Sequence, residues 1–323
     1  MLQCGLDYGL QEGLMSLPNV KIFVCYHKPS RIFSNEVLQP VLVGATNTKE
    51  EIVKRLEQLC KNAHTALLRD DNGENISSLN PYFCELTAMY WAWKNINADY
   101  YGIFHYRRVF NMVSVCGGGG GVSTRLFNKF FNKILPQHFV ILKYCLGANK
   151  IKSLISNNNL DLILPCLSSI EGITIYKHYE SAHIKADLDL AIEYIKQYYP
   201  DMRDSLKILF MPHQGAYLAN MAIWKKELFD EYCRWLFDVL FGIMDKINYK
   251  ERDTYQARVF GFLSERLFCV WVAYIKIKRQ DLKILEVPSV MLRTPNKWFG
   301  WQQDGNKRKL FFLKIRIWKQ IIA

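Results

Sequence analysis

His105, Tyr106, Arg107 and Arg108 stand together at the end of an aromatic and β-branched stretch, DYYGIFHYRRVF (99–110). A guanidinium keeps its charge and presents a planar fork of donors, so two of them beside an imidazole make a candidate anion site. The same side chains could instead pair with Glu85, Asp99 or a more distant acid and seal the edge of a sheet. Glu85 and Glu265 interrupt the apolar runs PYFCELTAMYWAW and VFGFLSERLFCVWVAY. A buried carboxylate without a partner is costly, so each must face a cation, a ligand or a proton donor. For Glu265 the ion pair with an arginine is the plain structural alternative. Asp70, Asp71 and Glu74 flank Asn75 in the polar run RDDNGENISSLN (69–80). Acids and an amide so placed are oxygen donors of the kind a hard divalent cation takes, or the residues of a solvated turn. Asp187 and Asp189 follow His183, as candidate acids or as first-turn residues that favour a helix dipole. His213, Gln214 and Asn220 are the polar side chains of MPHQGAYLANM.

Those residues need a scaffold, and the hydrophobic pattern supplies an alternation of strand and helix, hence an α/β fold with a mostly parallel sheet. VKIFVCY (20–26) reads as a fully buried strand running into His27-Lys28-Pro29, and PVLVGA (40–45) as a second extended run. Thr48 and Glu51 have capping-box spacing before an apolar face at Ile52, Leu56, Leu59 and Ala63. Asn80 and Pro81 mark the start of another helix, striped by Tyr82, Leu86, Met89, Tyr90 and Trp93 and running to about 96. YYGIF (100–104) is the next strand, LDLILP (160–165) another. A helix at 183–199, a strand at 215–224, helices at 225–244 and 253–277 and a late strand at 282–288 follow. Residues 111–158 read as a helical insertion whose Gly117–Gly121 run has a linker's composition.

Half of the 323 residues are apolar, enough for one large domain or two smaller ones. No uninterrupted apolar stretch reaches the length of a spanning helix. The first twenty residues lack the basic and compact apolar blocks of a secretory signal. Nine cysteines without a CxxC spacing suit a reducing compartment, so a cytoplasmic protein with free thiols is expected. The net charge of +12 calls for an anionic partner. Residues 306–323 hold six Lys and Arg and no acid, with Phe311, Ile315, Trp318 and Ile322 at helical spacing. That is the pattern of an interfacial helix on an anionic bilayer, or of a docked terminal element with a basic face. A nucleic-acid binder would suit the charge, yet no recognition-motif signature or zinc-finger spacing occurs and the aromatics sit at buried helical positions, so nucleic acid is not expected as a partner.

NISSLNPYFCELTAMYWAWKN, YYGIFHYRRVF and VFGFLSERLFCVWV together resemble a bacterial family of capsular and exopolysaccharide biosynthesis proteins known as a domain of unknown function and regarded as glycosyltransferases. The likeness covers about residues 20–290, leaving residues 1–19 as an N-terminal extension and 291–323 as a basic tail. It implies a GT-A-like, Rossmann-type sheet that binds a nucleotide sugar at the carboxyl ends of its strands. It further implies transfer of a sugar, galactofuranose among the possible ones, from a donor such as a UDP-sugar to a lipid-linked glycan acceptor, with the enzyme peripheral at the inner face of the cytoplasmic membrane. In GT-A enzymes the strand end at this point carries an Asp-x-Asp that holds Mn or Mg against the donor diphosphate; here it carries His105-Tyr106-Arg107. Fixed cations can neutralise a leaving diphosphate as a metal does. The resemblance therefore assigns catalysis to Glu265 as base with His105 and Arg107, and donor binding to His27, Lys28, Asn75, Asn80, Glu85, Tyr106 and Arg108. It puts the acceptor side at His213, Gln214, Asn220 and Asp187. Any divalent metal would fall to His105, Asp70 and Asp71. The missing Asp-x-Asp keeps open a non-catalytic subunit of a polysaccharide assembly machine.

Overall fold

The computed structural model describes residues 17–114, 137–170, 172–212, 215–292, 299–304, 307–312 and 315–321. In chain order the strands are β1 (Val20–Tyr26), β2 (Leu38–Leu42), β3 (Leu68–Arg69), β4 (Tyr100–His105), β5 (Arg108–Phe110), β6 (Leu162–Pro165), β7 (Ile223–Lys225), β8 (Ile284–Val287) and β9 (Ser289–Met291). After them come β10 (Phe299–Asp304), β11 (Lys307–Phe312) and β12 (Ile315–Ile321). The helices are α1 (Glu50–Asn62), α2 (Asn80–Phe83), α3 (Leu86–Asn95), α4 (Gln137–Lys143), α5 (Ala148–Asn157), α6 (Ile175–Glu180), α7 (Lys185–Tyr198), α8 (Lys226–Met244) and α9 (Val259–Lys278).

The main sheet runs β3-β2-β1-β4-β7-β6-β8, with β5 on β4 and β9 on β5. Pairings β1–β2, β1–β4, β2–β3 and β6–β8 are parallel, and β7 lies antiparallel to both β4 and β6. The expected mixed α/β class with a mostly parallel sheet holds. Both faces are covered, as a parallel sheet requires. Phe23 and Cys25 of β1 join the core formed with α3, α7, α8 and α9, while Ile22, Val24 and Tyr26 join the one formed with α1 and α5. The strand alternation thus divides a single apolar run between two layers.

Several local expectations are corrected. Thr48 does not cap α1: its hydroxyl donates to the Gly44 carbonyl at 2.8 Å, and Lys49 holds the cap position. The single helix expected from Asn80 to 96 is broken at Cys84, whose φ of 53° is left-handed. The Asn80 side-chain amide takes the Cys84 carbonyl at 2.7 Å, supplying at the break the partner that a continuous helix would have given it. The run 215–224 is strand only at its end, because Ala219 (φ 83°) and Asn220 (φ 48°) are left-handed. The described residues of the basic tail are strands and not a helix. β10, β11 and β12 form a three-stranded antiparallel sheet, and the period-two spacing of Ile315 and Ile317 outweighs the helical spacing that picks out Phe311 and Trp318. Cys166 is disulfide-bonded, against the expectation of free thiols throughout; Cys25, Cys60, Cys84, Cys233 and Cys269 are free thiols. The glycine run at 117–121 lies outside the described residues. Among the described residues, no helix is long and apolar enough to cross a membrane.

Asp70 braces the carboxyl edge of the sheet. It is fully buried and accepts from the Gly44 and Ala45 amides at 2.8 and 3.0 Å, from Ser77 Oγ at 2.6 Å and from Thr87 Oγ1 at 2.5 Å. One carboxyl therefore ties the loop after β2 to the turn before α2 and to α3. Gly44, at φ +65°, fits beneath Asn80, where a Cβ would come within 2.6 Å of its side chain. Asp70→Ala would strand buried donors, and we expect it to lower stability by roughly 3 kcal/mol or more. Urea unfolding checks this; an unchanged midpoint would contradict the bracing role.

Candidate active site

A cavity of about 770 Å³ opens at the carboxyl ends of β1 and β4. Its walls come from four places: His27 and Lys28 after β1; Asn80, Pro81, Tyr82, Cys84 and Glu85 around the α2–α3 break; His105 to Arg108 in the β4–β5 turn; and Lys250, Arg252, Thr254, Ala257, Arg258 and Glu265 before and within α9. Six Lys and Arg face two acids. None of the ion pairs among the described residues includes Lys28, Arg107, Arg108, Lys250 or Arg258. Burial pulls the Arg108 guanidinium below its ordinary value against the pull of Glu265, although a guanidinium stays charged. Burial, reinforced by Lys28, Arg107 and Arg258, lowers His27 to about 4 and keeps it neutral. The cavity carries uncompensated positive charge at the edge where open α/β sheets bind their ligands.

The two carboxylates are held from one short loop. His105 Nε2 lies 2.7 Å from the Ala219 carbonyl, so Nε2 carries the proton. The amide of the same Ala219 donates to Glu265 Oε1 at 2.7 Å. Asn220 Nδ2 donates to Glu85 Oε1 at 2.8 Å, and Ser264 Oγ donates back to Asn220 Oδ1 at 3.0 Å. The two left-handed residues thus orient an imidazole and both acids of the cavity; such backbone conformations cost about 1–3 kcal/mol and persist where the surroundings over-determine them. Glu265 Oε2 accepts from Arg266 Nη1 at 2.7 Å, and a fifth of the Glu265 side chain remains exposed. Burial raises its pKa, opposed by Arg266 and reinforced by Glu85. The arginine pair and the cavity position hold together. Each carboxylate oxygen takes one donor and keeps lone pairs for another.

The structure brings His27, Lys28, Asn80, Glu85, His105, Tyr106, Arg107, Arg108 and Glu265 to one cavity. It does not bring the others. Asp70 is the buried brace. Asp71 accepts from Arg69 Nε and Nη2, at 3.1 and 2.7 Å, in an ion pair away from the cavity. Asn75 bonds within its own turn, to Gly73 and Ser77. Asp187 is buried in a bidentate pair with Arg252, at 2.6 and 2.8 Å, so it fixes a cavity cation and offers no acceptor contact. Asp189 accepts from Tyr176. Asn220, 2% exposed, orients Glu85 from behind the wall. His213 and Gln214 lie outside the described residues. Lys250, Arg252 and Arg258 went unassigned in the sequence. Their signal was the charged run YKERDTYQAR (249–258), whose end reads as the start of the helix expected at 253–277 and which forms a loop closing in one 3-10 turn at Gln256–Arg258.

Among the described residues no three His, Cys, Asp or Glu side chains converge as a cation site would need. Of the residues expected to hold a metal, His105 meets the Ala219 carbonyl through Nε2, and Asp70 and Asp71 stand away from the cavity.

The strand order and the carboxyl-edge cavity define a GT-A-like fold. The chain belongs to the family described as Domain of unknown function (DUF4422), whose model matches residues 21–276. A comparison with curated proteins finds no match. Among solved structures the chain is similar to the bifunctional glycosyltransferase WbbM in its apo form, at 27% identity and a TM-score of 0.71, over 86% of this chain. It spans 46% of that protein's length.

Proposed function

We propose that the chain is a glycosyltransferase that moves a sugar from a nucleotide-sugar donor, UDP-linked in the simplest reading, to a lipid-linked glycan acceptor in capsule, exopolysaccharide or O-antigen biosynthesis. Galactofuranose is among the sugars this reading includes. The observation that carries it is the group of unpaired cations, Lys28, Arg107, Arg108, Lys250 and Arg258, facing a cavity that also holds Glu265. The likeness to a protein named as a bifunctional glycosyltransferase supports it.

In this mechanism the donor diphosphate lies among the arginines and lysines. Glu265 takes the proton of the acceptor hydroxyl as that oxygen bonds to the anomeric carbon. The bond from the anomeric carbon to the diphosphate oxygen breaks, and its electron pair leaves with the diphosphate, whose new charge the fixed guanidiniums stabilise. Preorganised cations perform the neutralisation assigned to a metal in Asp-x-Asp enzymes. The test is release of nucleoside diphosphate from UDP-sugars in the presence of a lipid-linked glycan and EDTA. Turnover that is lost in EDTA and restored by manganese would contradict the metal-free part.

The tail gives this reading its membrane. Residues 307–312 and 315–321 are strands of a small sheet, and each basic residue near an anionic leaflet contributes about 1 kcal/mol. The full chain is expected to sediment with anionic vesicles at low salt, to detach as salt rises, and to bind neutral vesicles less. A chain ending at Leu292 that binds as well as the full one would remove the tail from the account.

A further inference from the structure

Tyr255 is a large aromatic residue left half exposed, at 51%, in the middle of the cavity's charged loop. Its chain neighbours Thr254, Ala257 and Arg258 line the cavity, and its ring packs beside them on Phe262. It is held there. Tyr255 leans on Phe262 of α9 with centroids 5.1 Å apart, and His183 lies parallel to both, 5.7 Å from Tyr255 and 3.9 Å from Phe262. Arg258 closes the other side, with its guanidinium carbon 5.2 Å from the Phe262 centroid and its Nε donating to Cys84 Sγ at 3.2 Å. The loop backbone is fixed as well: the Tyr255 and Gln256 amides donate to Asp253 Oδ1, and Gln256 Nε2 donates to the Ala182 carbonyl at 3.0 Å. Burial and the charge of Arg266 lower His183 to about 4, so the supporting imidazole is neutral and the stack is apolar. Phe262 and Glu265 lie three residues apart on α9, on one face and within one turn.

We propose that Tyr255, backed by Phe262 and His183, is the acceptor platform: the apolar C–H face of the acceptor's terminal sugar stacks on the exposed ring, which directs a hydroxyl towards Glu265. The ring needs the features found here. It is aromatic, backed by packed rings and half exposed, and it leans on the helix that carries the base, beside loop residues that line the cavity. A pyranose or furanose presents a C–H face to such a ring while its hydroxyls stay available to polar groups and water. Tyr255 acts by positioning and takes no part in bond making. The inference rests on the transferase reading and adds to it the residue that selects a cyclic sugar acceptor.

Saturation-transfer difference NMR on the full chain, with UDP present, tests it with methyl β-D-galactopyranoside, methyl β-D-glucopyranoside and methyl α-D-mannopyranoside as probes. At least one glycoside is expected to show saturation concentrated on the C–H protons of one face. Tyr255→Phe should preserve that pattern. Tyr255→Ala should weaken glycoside affinity about three- to tenfold, the factor that corresponds to loss of an aromatic stacking contact, while UDP affinity measured by calorimetry stays unchanged. Phe262→Leu, which removes the backing and leaves Tyr255 in place, should produce part of the same loss. Glycoside saturation that is absent in the wild type, or undiminished in folded Tyr255→Ala, overturns the platform while leaving UDP binding intact. Failure of the wild type to bind any of UDP, GDP, CMP and dTDP would instead sink the transferase reading on which the platform depends.

Discussion

Glu265→Gln should retain nucleoside diphosphate binding while transfer falls by roughly 10²–10⁴-fold, the contribution of a positioned general base. The substitution keeps the side-chain shape. One amide position can still accept from Arg266 or from Ala219, so the fold should survive. What it removes is the ability to take a proton from the acceptor hydroxyl. Burial raises the Glu265 pKa, which brings the base towards the working pH and strengthens it relative to an exposed glutamate. The sign follows for the pH profile. A base works deprotonated, so kcat/KM should fall on the acid side through an apparent pKa above the usual carboxylate range, and that limb should be missing from the residual activity of Glu265→Gln. Glu85→Gln is the control, because Glu85 shares the cavity and is oriented by Asn220. If Glu85→Gln abolishes transfer and Glu265→Gln does not, the two acids exchange roles.

Arg107→Ala and Arg108→Ala should each weaken UDP binding by about 1.5–3 kcal/mol, the range for a hydrogen bond to a charged group. In the free protein the substitutions should cost little. Neither arginine has an ion-pair partner among the described residues, and Arg108 is half buried with its charge uncompensated, so removing it relieves a desolvation penalty. Melting without ligand should therefore be unchanged or slightly higher for Arg108→Ala, and the stabilisation added by UDP should shrink. Affinity and stability moving in opposite directions is the signature of a binding group. A parallel loss of both would make Arg108 a structural residue.

The main-chain framework of this cavity was legible in the sequence because buried strands and amphipathic helices leave periodic patterns. VKIFVCY and YYGIF read directly as strands, and the cluster His105 to Arg108 reads as a candidate anion site at a strand end, where the structure places it on the cavity wall. What escaped depends on contacts distant in sequence. Asp70 resembled a loop acid open to a metal, and only the meeting of Gly44, Ala45, Ser77 and Thr87 reveals it as a brace. Asp187 is the first-turn acid of α7 that its position suggested, but its bidentate pair with Arg252, 65 residues away, left no local trace. The break at Cys84 has no local breaker in an otherwise helical run; it arises where Asn80 captures a carbonyl, and it turns Cys84 and Glu85 into the cavity. The left-handed pair at Ala219 and Asn220 is equally silent, since neither residue type announces that conformation. In the tail, two periodicities competed, and strand pairing between β11 and β12 decided for the shorter one.

The central claim is that fixed cations bind a nucleoside diphosphate at the ends of β1 and β4, and the most direct measurement is a calorimetric titration of UDP, with GDP, CMP and dTDP for comparison, into the full chain in EDTA. The account predicts saturable one-site binding of a nucleoside diphosphate without added metal, weakened by salt and by Arg107→Ala. Absence of binding by every nucleotide in EDTA, or binding that Arg107→Ala and Arg108→Ala leave untouched, would contradict it.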